Sequence, residues 1–339
     1  MKILVTGGAG FIGSNFVRQY LFRHPGDTVV NLDSLTYAGN MKNLDDFLDS
    51  GNHKFVKGDI RDAAKVDKAM KGMDAVVHFA AESHVDRSIE NASEFLLTNV
   101  IGTGVLLEAA KRHGISKFVH VSTDEVYGSI EKGAFTEDSP LKPSSPYSAS
   151  KASSDMLALS YFTTFKLPVV VTRCTNNFGP YQFPEKIIPL FITNADAGKK
   201  LPIYGDGLNV RDWIHVEDHC SAVDTVLQKG APGEIYNIGG GNEKNNLEIT
   251  DMILRALGKP DSLKLFIEDR PGHDRRYAID FSKISDRLGW APEHSFEEAI
   301  NSTVKWYMDN RSWWEEIKSG EYTGFYEKLY AERISRGRS

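Results

Sequence analysis

Short apolar runs alternate with amphipathic stretches along the first half of the chain. The apolar runs predict six strands, at residues 3–6, 28–32, 53–57, 74–80, 117–122 and 168–173. Continuous apolar runs, such as residues 75–80, are typical of strands that are buried on both faces of a parallel sheet covered by helices. The pattern therefore predicts an α/β fold with a Rossmann-type, doubly wound parallel sheet.

The pattern changes after Asn176. Pro and Gly interrupt the later segments at residues 179–180, 201–202 and 205–207, which predicts a smaller C-terminal lobe built on loops. Residues 212–216, followed by a helix near Glu217, resemble one more strand–helix unit that returns to the first sheet. The two lobes are therefore predicted to interleave. The expected division is residues 1–175 plus about 210–235 for the Rossmann domain, about 176–209 and 236–330 for the lobe, and 331–339 for a frayed tail.

Composition excludes several classes of function. A net charge of −6 argues against binding to nucleic acid, and the chain has no apolar run long enough for a membrane span. The two cysteines, Cys174 and Cys220, form no CxxC or Cys/His motif, so neither a disulfide framework nor a metal site is expected. The first apolar segment ends at Gly7 and is too short for a signal peptide, so a cytoplasmic protein is expected.

The first predicted strand leads into a glycine-rich turn. Residues 8–13, GAGFIG, match G-x-G-x-x-G, and Gly7 extends the motif. Backbone without side chains can approach a pyrophosphate there, at the positive end of a helix. Asp33 lies 20 residues beyond Gly13, where a carboxylate accepts the ribose hydroxyls of NAD and repels the 2′-phosphate of NADP. Asp33 alone could equally be a turn aspartate, but its spacing favours NAD.

Tyr147 and Lys151 form a Y-x-x-x-K motif, whose spacing places both side chains on one face of a helix. A nearby ammonium lowers the pKa of a phenol from about 10 towards neutrality, so that the phenolate can take a proton from a hydroxyl as hydride leaves the carbon. An ordinary exposed Tyr/Lys pair is the alternative. Because the Tyr147/Lys151 pair follows an NAD-binding motif in the sequence, it indicates that Tyr147 is a general base.

These motifs, in this order, resemble the nucleotide-sugar branch of the extended short-chain dehydrogenase/reductase superfamily, and the resemblance covers nearly the whole chain. It implies an NAD cofactor that stays tightly bound and is regenerated in each cycle. The implied cofactor contacts are Gly7, Gly10, Phe11, Ile12, Gly13, Asp33, Ser34, Leu35, Thr36, Asp59, Ile60, Phe79, Ala80, Ala81, Ser83, Thr98, Tyr147, Lys151 and Asn177.

Thr123, Asp124 and Glu125 follow the strand at 117–122, at the carboxyl end of the predicted sheet, where such folds bind ligands. A helix start with Thr123 as its cap is the alternative. Together with residues 78–88, HFAAESHVDRS, this acid pair strongly resembles the 4,6-dehydratases that act on dTDP-glucose. Sugar 4-epimerases of the same superfamily lack the pair.

That resemblance implies a catalytic role for five residues. Tyr147, assisted by Lys151, deprotonates the sugar 4-hydroxyl while hydride passes to NAD, and Thr123 binds the same oxygen. Glu125 then removes the C5 proton, protonated Asp124 donates to the departing C6 hydroxyl, and hydride returns to C6. Asp124 must stay protonated near neutrality for this role, which requires burial or the neighbouring charge of Glu125 to raise its pKa.

The resemblance also implies how the nucleotide sugar is held. The implied substrate contacts are Ser83, Thr123, Asn176, Lys186, Ile187, Pro202, Ile203, Tyr204, Arg211, Asn246, Arg270 and His273. Tyr204 is expected to stack on the base, or else to be a core aromatic residue. Arg211 and Arg270 are expected to clamp the diphosphate, or else to form ordinary surface ion pairs.

Two helical stretches, at residues 95–113 and 148–165, carry apolar residues on more than one face, namely Leu96, Val100, Leu106, Met156, Leu159 and Phe162. Packing on the sheet accounts for part of them. The remainder is expected to form a two-fold, four-helix interface in a homodimer, as the family implies.

Three alternative functions remain open. A UDP-sugar 4-epimerase or a nucleotide-sugar decarboxylase shares every motif except the chemistry of residues 123–125. A regulatory module that senses NAD is a third, and the presence of both Tyr147 and Lys151 counts against it. The choice of thymidine over uridine rests on resemblance, because small differences between bases discriminate by only a few kcal/mol.

Overall fold

The computed structural model describes residues 1–318 and Gly324. The strands described are β1 (Lys2–Thr6), β2 (Thr28–Asp33), β3 (His53–Lys57), β4 (Ala75–His78), β5 (Lys117–Thr123), β6 (Val169–Cys174), β7 (Asn176–Phe178), β8 (Leu201–Tyr204), β9 (Val210–His215), β10 (Ile235–Ile238), β11 (Glu243–Asn245) and β12 (Lys264–Ile267). The α-helices described are α1 (Phe11–Arg23), α2 (Ala63–Met70), α3 (Val85–Glu90), α4 (Ala92–Phe95), α5 (Thr103–His113), α6 (Pro146–Phe165), α7 (Ile187–Asp196), α8 (Val216–Lys229), α9 (Asn246–Leu257), α10 (Ser282–Leu288), α11 (Phe296–Asp309) and α12 (Arg311–Lys318). No helix in this part of the chain has both the length and the apolar character to cross a membrane.

A seven-stranded sheet forms the centre of the molecule, in the order β10-β6-β5-β4-β1-β2-β3. All of its neighbouring strands run parallel. The six predicted strands are all in this sheet, and the largest difference in bounds is at β4, which ends at His78 rather than at Ala80. All four residues of β4 are buried, as continuous apolar runs predict. The prediction of a doubly wound α/β fold is confirmed.

One predicted strand belongs to a different sheet. Strand β9, expected to return to the central sheet, instead pairs parallel with β7 and antiparallel with β11. The place beside β6 in the central sheet is taken by β10. The helix that follows, α8, does pack against the central sheet and α1. The prediction that this strand–helix unit returns to the central sheet was therefore wrong for β9, whose backbone groups pair with β7 and β11. It was right for α8.

A second hydrophobic core lies between α7, α9 and α11, next to the parallel pair β8 and β12. Its fully buried members include Phe191, Ile192, Ile253 and Ile300. The division of the chain into two interleaved lobes at the predicted boundaries stays a prediction, and its final residues, together with the predicted tail at 331–339, fall outside the part of the chain that is described.

A buried ionic network fixes α6 on the central sheet. Asp155 of α6 accepts a hydrogen bond from Nε of Arg173 on β6 at 2.9 Å, and its other oxygen lies 3.3 Å from Nε2 of His120 on β5. Burial raises the pKa of Asp155, but the hydrogen bond with His120 and the charge of Arg173 more than offset it and hold that pKa below its ordinary value. Asp155 is therefore ionised and paired.

Loss of this carboxylate should destabilise the protein strongly. Asp155→Ala leaves the guanidinium of Arg173, which is 2% exposed, without its counter-ion, and breaking a buried pair in this way costs about 3–5 kcal/mol. The control is Asp46→Ala, which removes a half-exposed partner of Arg18 and should cost less than about 1 kcal/mol. Urea unfolding of both variants measures the difference, and equal losses would contradict the role given to the network.

Candidate active site

The turn between β1 and α1 has no room for side chains. Gly7 has φ +73°, and a Cβ there would lie 2.6 Å from the backbone nitrogen of Ala80. A Cβ on Gly13 would lie 2.2 Å from the carbonyl oxygen of Gly7. Distances this short do not occur between real atoms, so the turn requires glycine at both positions. The first turn of α1 thus packs closely on the end of β1 and borders a deep cleft.

Asp33 ends β2 at the edge of this cleft. Its Oδ2 accepts a hydrogen bond from the backbone N–H of Ala9 at 2.9 Å, and its Oδ1 accepts one from Leu35 at 2.8 Å. Leu35 adopts φ +55°, which is uncommon for a residue with a side chain. Asp33 thus links the glycine turn to the loop after β2. Asp33 is therefore a turn aspartate, as the alternative interpretation of the sequence predicted, and it also lines the cleft.

The residues predicted to bind the cofactor line this one cleft, with one exception. Leu35 is not part of the lining; its side chain packs against the hydrophobic core, and only its backbone takes part, through the bond to Asp33. The others are Gly7, Gly10, Phe11, Ile12, Gly13, Asp33, Ser34, Thr36, Asp59, Ile60, Phe79, Ala80, Ala81, Ser83, Thr98, Tyr147, Lys151 and Asn177. The fold brings them together because the carboxyl ends of its parallel strands share one edge.

The five predicted catalytic residues meet at the middle of this edge. Thr123 is the last residue of β5, and Asp124 and Glu125 begin a 3₁₀ turn, Asp124–Tyr127. Oγ1 of Thr123 accepts the backbone N–H of Glu125 at 3.2 Å and donates to Oδ1 of Asp124 at 3.3 Å. Thr123 is therefore a cap, as the structural alternative proposed, and it also lines the cleft with both acids.

Asp124 is buried in this cleft, and Glu125 is half-buried. Burial raises the pKa of Asp124 well above its ordinary value, and the charges of Glu125 and Asp212 raise it further. Oδ2 of Asp124 has no hydrogen-bond partner within the described part of the chain. The direction of this pKa shift is the one that the predicted role of Asp124 as a proton donor requires. Burial also raises the pKa of Glu125, although the nearby cations oppose this.

Tyr147 and Lys151 extend from α6 into the same cleft. The pKa of Tyr147 is raised well above 10, first by burial and then by the charge of Glu125, while a hydrogen bond with Thr123 lowers it. Nζ of Lys151 donates to the carbonyl oxygen of Val121 at 2.8 Å. In the protein alone the phenol pKa therefore shifts in the direction opposite to the expected lowering, because burial and the charge of Glu125 raise it.

Three cations gather on the other side of the acid pair. The charges of Arg270, Lys186 and Arg211, in that order, lower the pKa of Glu125. Arg211 is 6% exposed; its Nη2 donates to the carbonyl oxygen of Asp274 at 2.9 Å, and its guanidinium lies over the ring of Tyr277 at 4.2 Å. These contacts of Arg211 are buried and are not surface ion pairs. Lys186 lines the cleft, whereas Arg211 and Arg270 lie outside its lining. All three are close enough for their charges to act on Glu125, and this arrangement suits a doubly charged anion beside the acids.

Two of these cations are held by backbone or carboxylate oxygens. Nζ of Lys186 donates to the carbonyl oxygen of Ser83 at 3.0 Å, and Nη1 of Arg270 lies 3.6 Å from Asp86. Ser83, Lys186 and Asn176 line the cleft, whereas Ile187 begins α7 behind it.

The segment predicted to hold the base lies on β8. The rings of Tyr204 and His273 meet edge to face, with centroids 6.0 Å apart. Ile203 is buried in the second core, and Pro202 is buried beside it, so these two residues can reach a ligand only through their backbone. Asn246 begins α9, directly after β11, the strand that pairs with the Arg211 strand.

Several residues of the cleft escaped the sequence analysis. Arg61, Glu82 and Glu94 line it, and Nη1 of Arg61 donates to Glu94 at 2.6 Å. Cys174 also lines it, with Sγ 3.3 Å from the carbonyl oxygen of Ser122. Tyr277 supports Arg211 from outside the lining. These residues come from separated segments, so no short motif could have identified them.

Comparisons with known proteins find similarity to nucleotide-sugar 4,6-dehydratases and, at 31% identity, to solved UDP-glucose 4-epimerases from Thermus thermophilus and Thermotoga maritima. A family model described as GDP-mannose 4,6 dehydratase matches residues 4–303. A dTDP-glucose 4,6-dehydratase of Streptomyces niveus is 54% identical over 329 residues, covering 96% of this chain and 98% of the relative. A solved dTDP-glucose 4,6-dehydratase from Streptomyces venezuelae, with NAD bound, has a TM-score of 0.93 at 55% identity and covers 94% of this chain and 100% of its own. That from Bacillus anthracis, in complex with NAD, has a TM-score of 0.88 at 53% identity, with the same coverage of both chains.

The close packing of the glycine turn predicts the effect of adding one methyl group. Gly13→Ala must push the turn away from the carbonyl oxygen of Gly7, and we expect the affinity for NAD to fall at least about tenfold, because a displaced turn loses donors to the pyrophosphate. Gly26→Ala is the control, since nothing lies within 4 Å of a Cβ there. Calorimetric titration of the cofactor-free proteins checks this, and unchanged binding by Gly13→Ala would contradict it.

Proposed function

The chain belongs to the dTDP-glucose 4,6-dehydratase family, and from this premise we propose that it converts dTDP-glucose to dTDP-4-keto-6-deoxyglucose. The reaction oxidises C4 of the sugar, eliminates water across C5 and C6, and then returns the hydride to C6 and a proton to C5. One observation supports it most directly. A buried Asp124 with a raised pKa lies beside Glu125 and next to the Tyr147 phenol, which is the acid, base and proton acceptor that such a sequence needs.

The cleft suits NAD. The turn from Gly7 to Gly13 presents bare backbone at the start of α1, and Asp33 offers a carboxylate to the ribose at the end of β2. When bound, NAD accepts the hydride from C4 and gives it back to C6, so it ends each cycle in its starting oxidation state. We therefore expect the protein to purify with NAD bound and to need no external oxidant.

Tyr147 takes the proton of the sugar 4-hydroxyl in this proposal. The phenol must be ionised to accept this proton. Burial and the charge of Glu125 raise its pKa and oppose ionisation in the protein alone, whereas the hydrogen bond with Thr123 and the positive charge that bound NAD would bring favour the phenolate. The hydroxyl of Thr123 is placed to bond the same sugar oxygen. Lys151 holds α6 against β5 through its bond to Val121 and supplies a buried positive charge beneath the site.

Asp124 and Glu125 carry out the loss of water. The ketone at C4 acidifies the C5 proton, which Glu125 removes as a base, because three nearby cations favour its ionised form. Asp124 donates its proton to the departing C6 hydroxyl. Arg211, Arg270 and Lys186 are proposed to hold the diphosphate, which fixes the sugar between the acids and Tyr147.

The alternatives differ in what they need at residues 123–125. An epimerase or decarboxylase does not need a protonated acid beside a base, and a protein that only senses NAD needs neither Tyr147 nor Lys151. All five residues meet in one cleft in this structure. Dehydration therefore uses all five of these residues, and each alternative leaves at least two of the five unused.

Deuterium labelling tests the reaction. The protein, as purified, is incubated with dTDP-glucose labelled at C4 and, in parallel, with UDP-glucose labelled at the same position. We expect loss of one water with the label retained on C6, and faster turnover of the thymidine substrate. Loss of the label to solvent, or a product of unchanged mass, would defeat the proposal.

Variants of the acid pair test the assigned roles. Asp124→Asn cannot donate the proton and Glu125→Gln cannot accept it, so we expect each variant to slow the loss of water by about 10² or more while NAD stays bound. The control is Asp67→Asn, at a half-exposed acid far from the cleft, which should react normally. Product analysis by mass and cofactor content by absorbance measure the two effects, and near-normal turnover by both acid-pair variants would refute these roles.

We propose that the protein acts as a homodimer. An exposed apolar surface runs along residues 96–102 and the adjacent helix α6, and its members are Leu96, Leu97, Ile101, Met156 and Phe165, which are 45–65% exposed. A contiguous apolar surface of this kind is typical of a protein–protein interface. Both cysteines are buried free thiols, in keeping with the reducing cytoplasm that we propose as its compartment.

The residues predicted from the sequence to form this interface divide into two groups. Leu96 and Met156 are exposed, as an interface requires, whereas Leu106 is fully buried in the core and does not contribute. Val100, Leu159 and Phe162 are half-buried. The interface proposed here therefore lies closer to residues 96–101 than the sequence indicated.

A single charge should separate the subunits. Ile101→Glu places an unpaired carboxylate within the proposed interface, so we expect a monomer in sedimentation velocity runs at a concentration where the parent protein is a dimer. Phe22→Glu is the control, at a residue that is 87% exposed on α1 and distant from the surface, and it should remain dimeric. A monomeric parent protein, or a dimeric Ile101→Glu, would exclude this interface.

A further inference from the structure

Three potential metal ligands meet outside the cleft. His215 ends β9, Glu217 lies in the first turn of α8, and His294 lies between α10 and α11. One ligand atom from each lies within 4.8 Å of the others. None of the three lines the cleft, and the proposed reaction uses none of them. Two imidazoles and one carboxylate are a donor set that binds zinc in proteins.

His215 is buried without a hydrogen bond. Its side chain is 5% exposed, and within the described part of the chain neither ring nitrogen has a hydrogen-bond partner. Nε2 faces backbone, since a Cβ on Gly179 would lie only 3.2 Å from it. Nδ1 faces the cluster, 4.0 Å from Oε2 of Glu217. A buried polar ring without a partner costs free energy, which a ligand at Nδ1 would recover.

His294 is oriented by a second carboxylate. Its Nδ1 lies 2.8 Å from Oδ1 of Asp218, and its Nε2 lies 3.3 Å from Oε2 of Glu217. Asp218 is itself held, because it accepts the backbone N–H groups of Glu293 and His294 at 3.1 Å. Metal-binding histidines usually make this second bond to a carboxylate, which sets the ring orientation and leaves the other nitrogen for the metal.

We propose that Nδ1 of His215, Nε2 of His294 and the carboxylate of Glu217 form a zinc site, with Asp218 as a positioning residue. Zinc lies about 2.0–2.2 Å from such ligands, so the ligand atoms should approach to about 3.3 Å of one another. Glu217 is 49% exposed and can rotate to close this distance. The exposed side of the cluster leaves the fourth position for water. The ion would join the start of α8, which packs on the central sheet, to the segment before α11, which packs in the second core.

A proton is the competing occupant. Without a metal, hydrogen bonds to Asp218 and then to Glu217 raise the pKa of His294 to about 10, and the cluster is an ion pair. Zinc binds the Nε2 lone pair that the proton otherwise occupies. The two occupants exclude each other, so direct titration with zinc distinguishes them.

The test is a calorimetric titration of the tag-free, chelator-treated, NAD-loaded protein with zinc chloride. We expect one saturable zinc per chain and a melting temperature that rises with zinc concentration. Glu217→Gln and His294→Ala should each weaken zinc binding at least tenfold and remove the rise in melting temperature. Sugar dehydration should be unchanged in both variants, because the cluster lies outside the cleft.

A second histidine–aspartate pair provides the control. His24 lies 2.9 Å from Asp224 and its side chain is 30% exposed, close to the 33% of His294, but among the residues that the structure describes it belongs to no cluster of three ligands. His24→Ala should bind zinc like the parent protein. The absence of saturable binding, or equal affinity in the parent protein and Glu217→Gln, would overturn the proposal and leave the cluster an ion pair only. Glu217 is exposed, so Glu217→Gln should fold and can be titrated even if His294→Ala does not fold.

Discussion

Burial of the Asp124 carboxyl at the end of β5 is the constraint on which the rest of the site depends. Removal from water keeps this group protonated, and it also raises the pKa of Glu125 next to it. A base in the same cleft must nevertheless ionise, and the charges of Arg270, Lys186 and Arg211 favour that form. The pKa of Asp124 is thus raised well above its ordinary value, whereas at Glu125 three cations oppose the shift that burial causes. All three of those cations lie outside the central sheet, on β9 and next to α7 and β12, so the segments around the sheet act on the acid pair.

The parallel sheet makes this arrangement possible. Its strands end at one edge, so the glycine turn after β1, the carboxylate after β2 and the acid pair after β5 open into a single cleft without long connections. Helix α6 must then bring its phenol to the same place. The ionic network around Asp155 fixes that helix one turn beyond Lys151, and the bond from Lys151 to Val121 fixes it again at the end of β5. Stability and reactivity therefore draw on the same buried charges.

Local patterns in the sequence predicted much of this and missed what depends on distant contacts. The six strands, the glycine turn, Asp33 and the Tyr147/Lys151 spacing are properties of neighbouring residues, and the fold places them as expected. The sheet to which β9 belongs depends on competition with β10 for the edge of β6, which no short segment records. The phenol pKa also could not be foreseen, because burial and a carboxylate from another element determine it. The cluster of His215 and His294 joins residues 79 positions apart and has no motif.

Strand β9 has a consequence for the evolution of specificity. It carries Arg211, and its neighbour β7 carries Asn176 and Asn177, so residues that we propose to contact the sugar nucleotide and a residue that we propose to contact the cofactor belong to one three-stranded sheet. Strand β7 follows β6 after a single residue, which ties this small sheet to the central one. A relative with a different preference for its substrate cannot exchange a surface loop alone. The unit that must be exchanged is the whole sheet of β7, β9 and β11. A chimaera with a junction inside this sheet would alter the binding of both the sugar nucleotide and NAD.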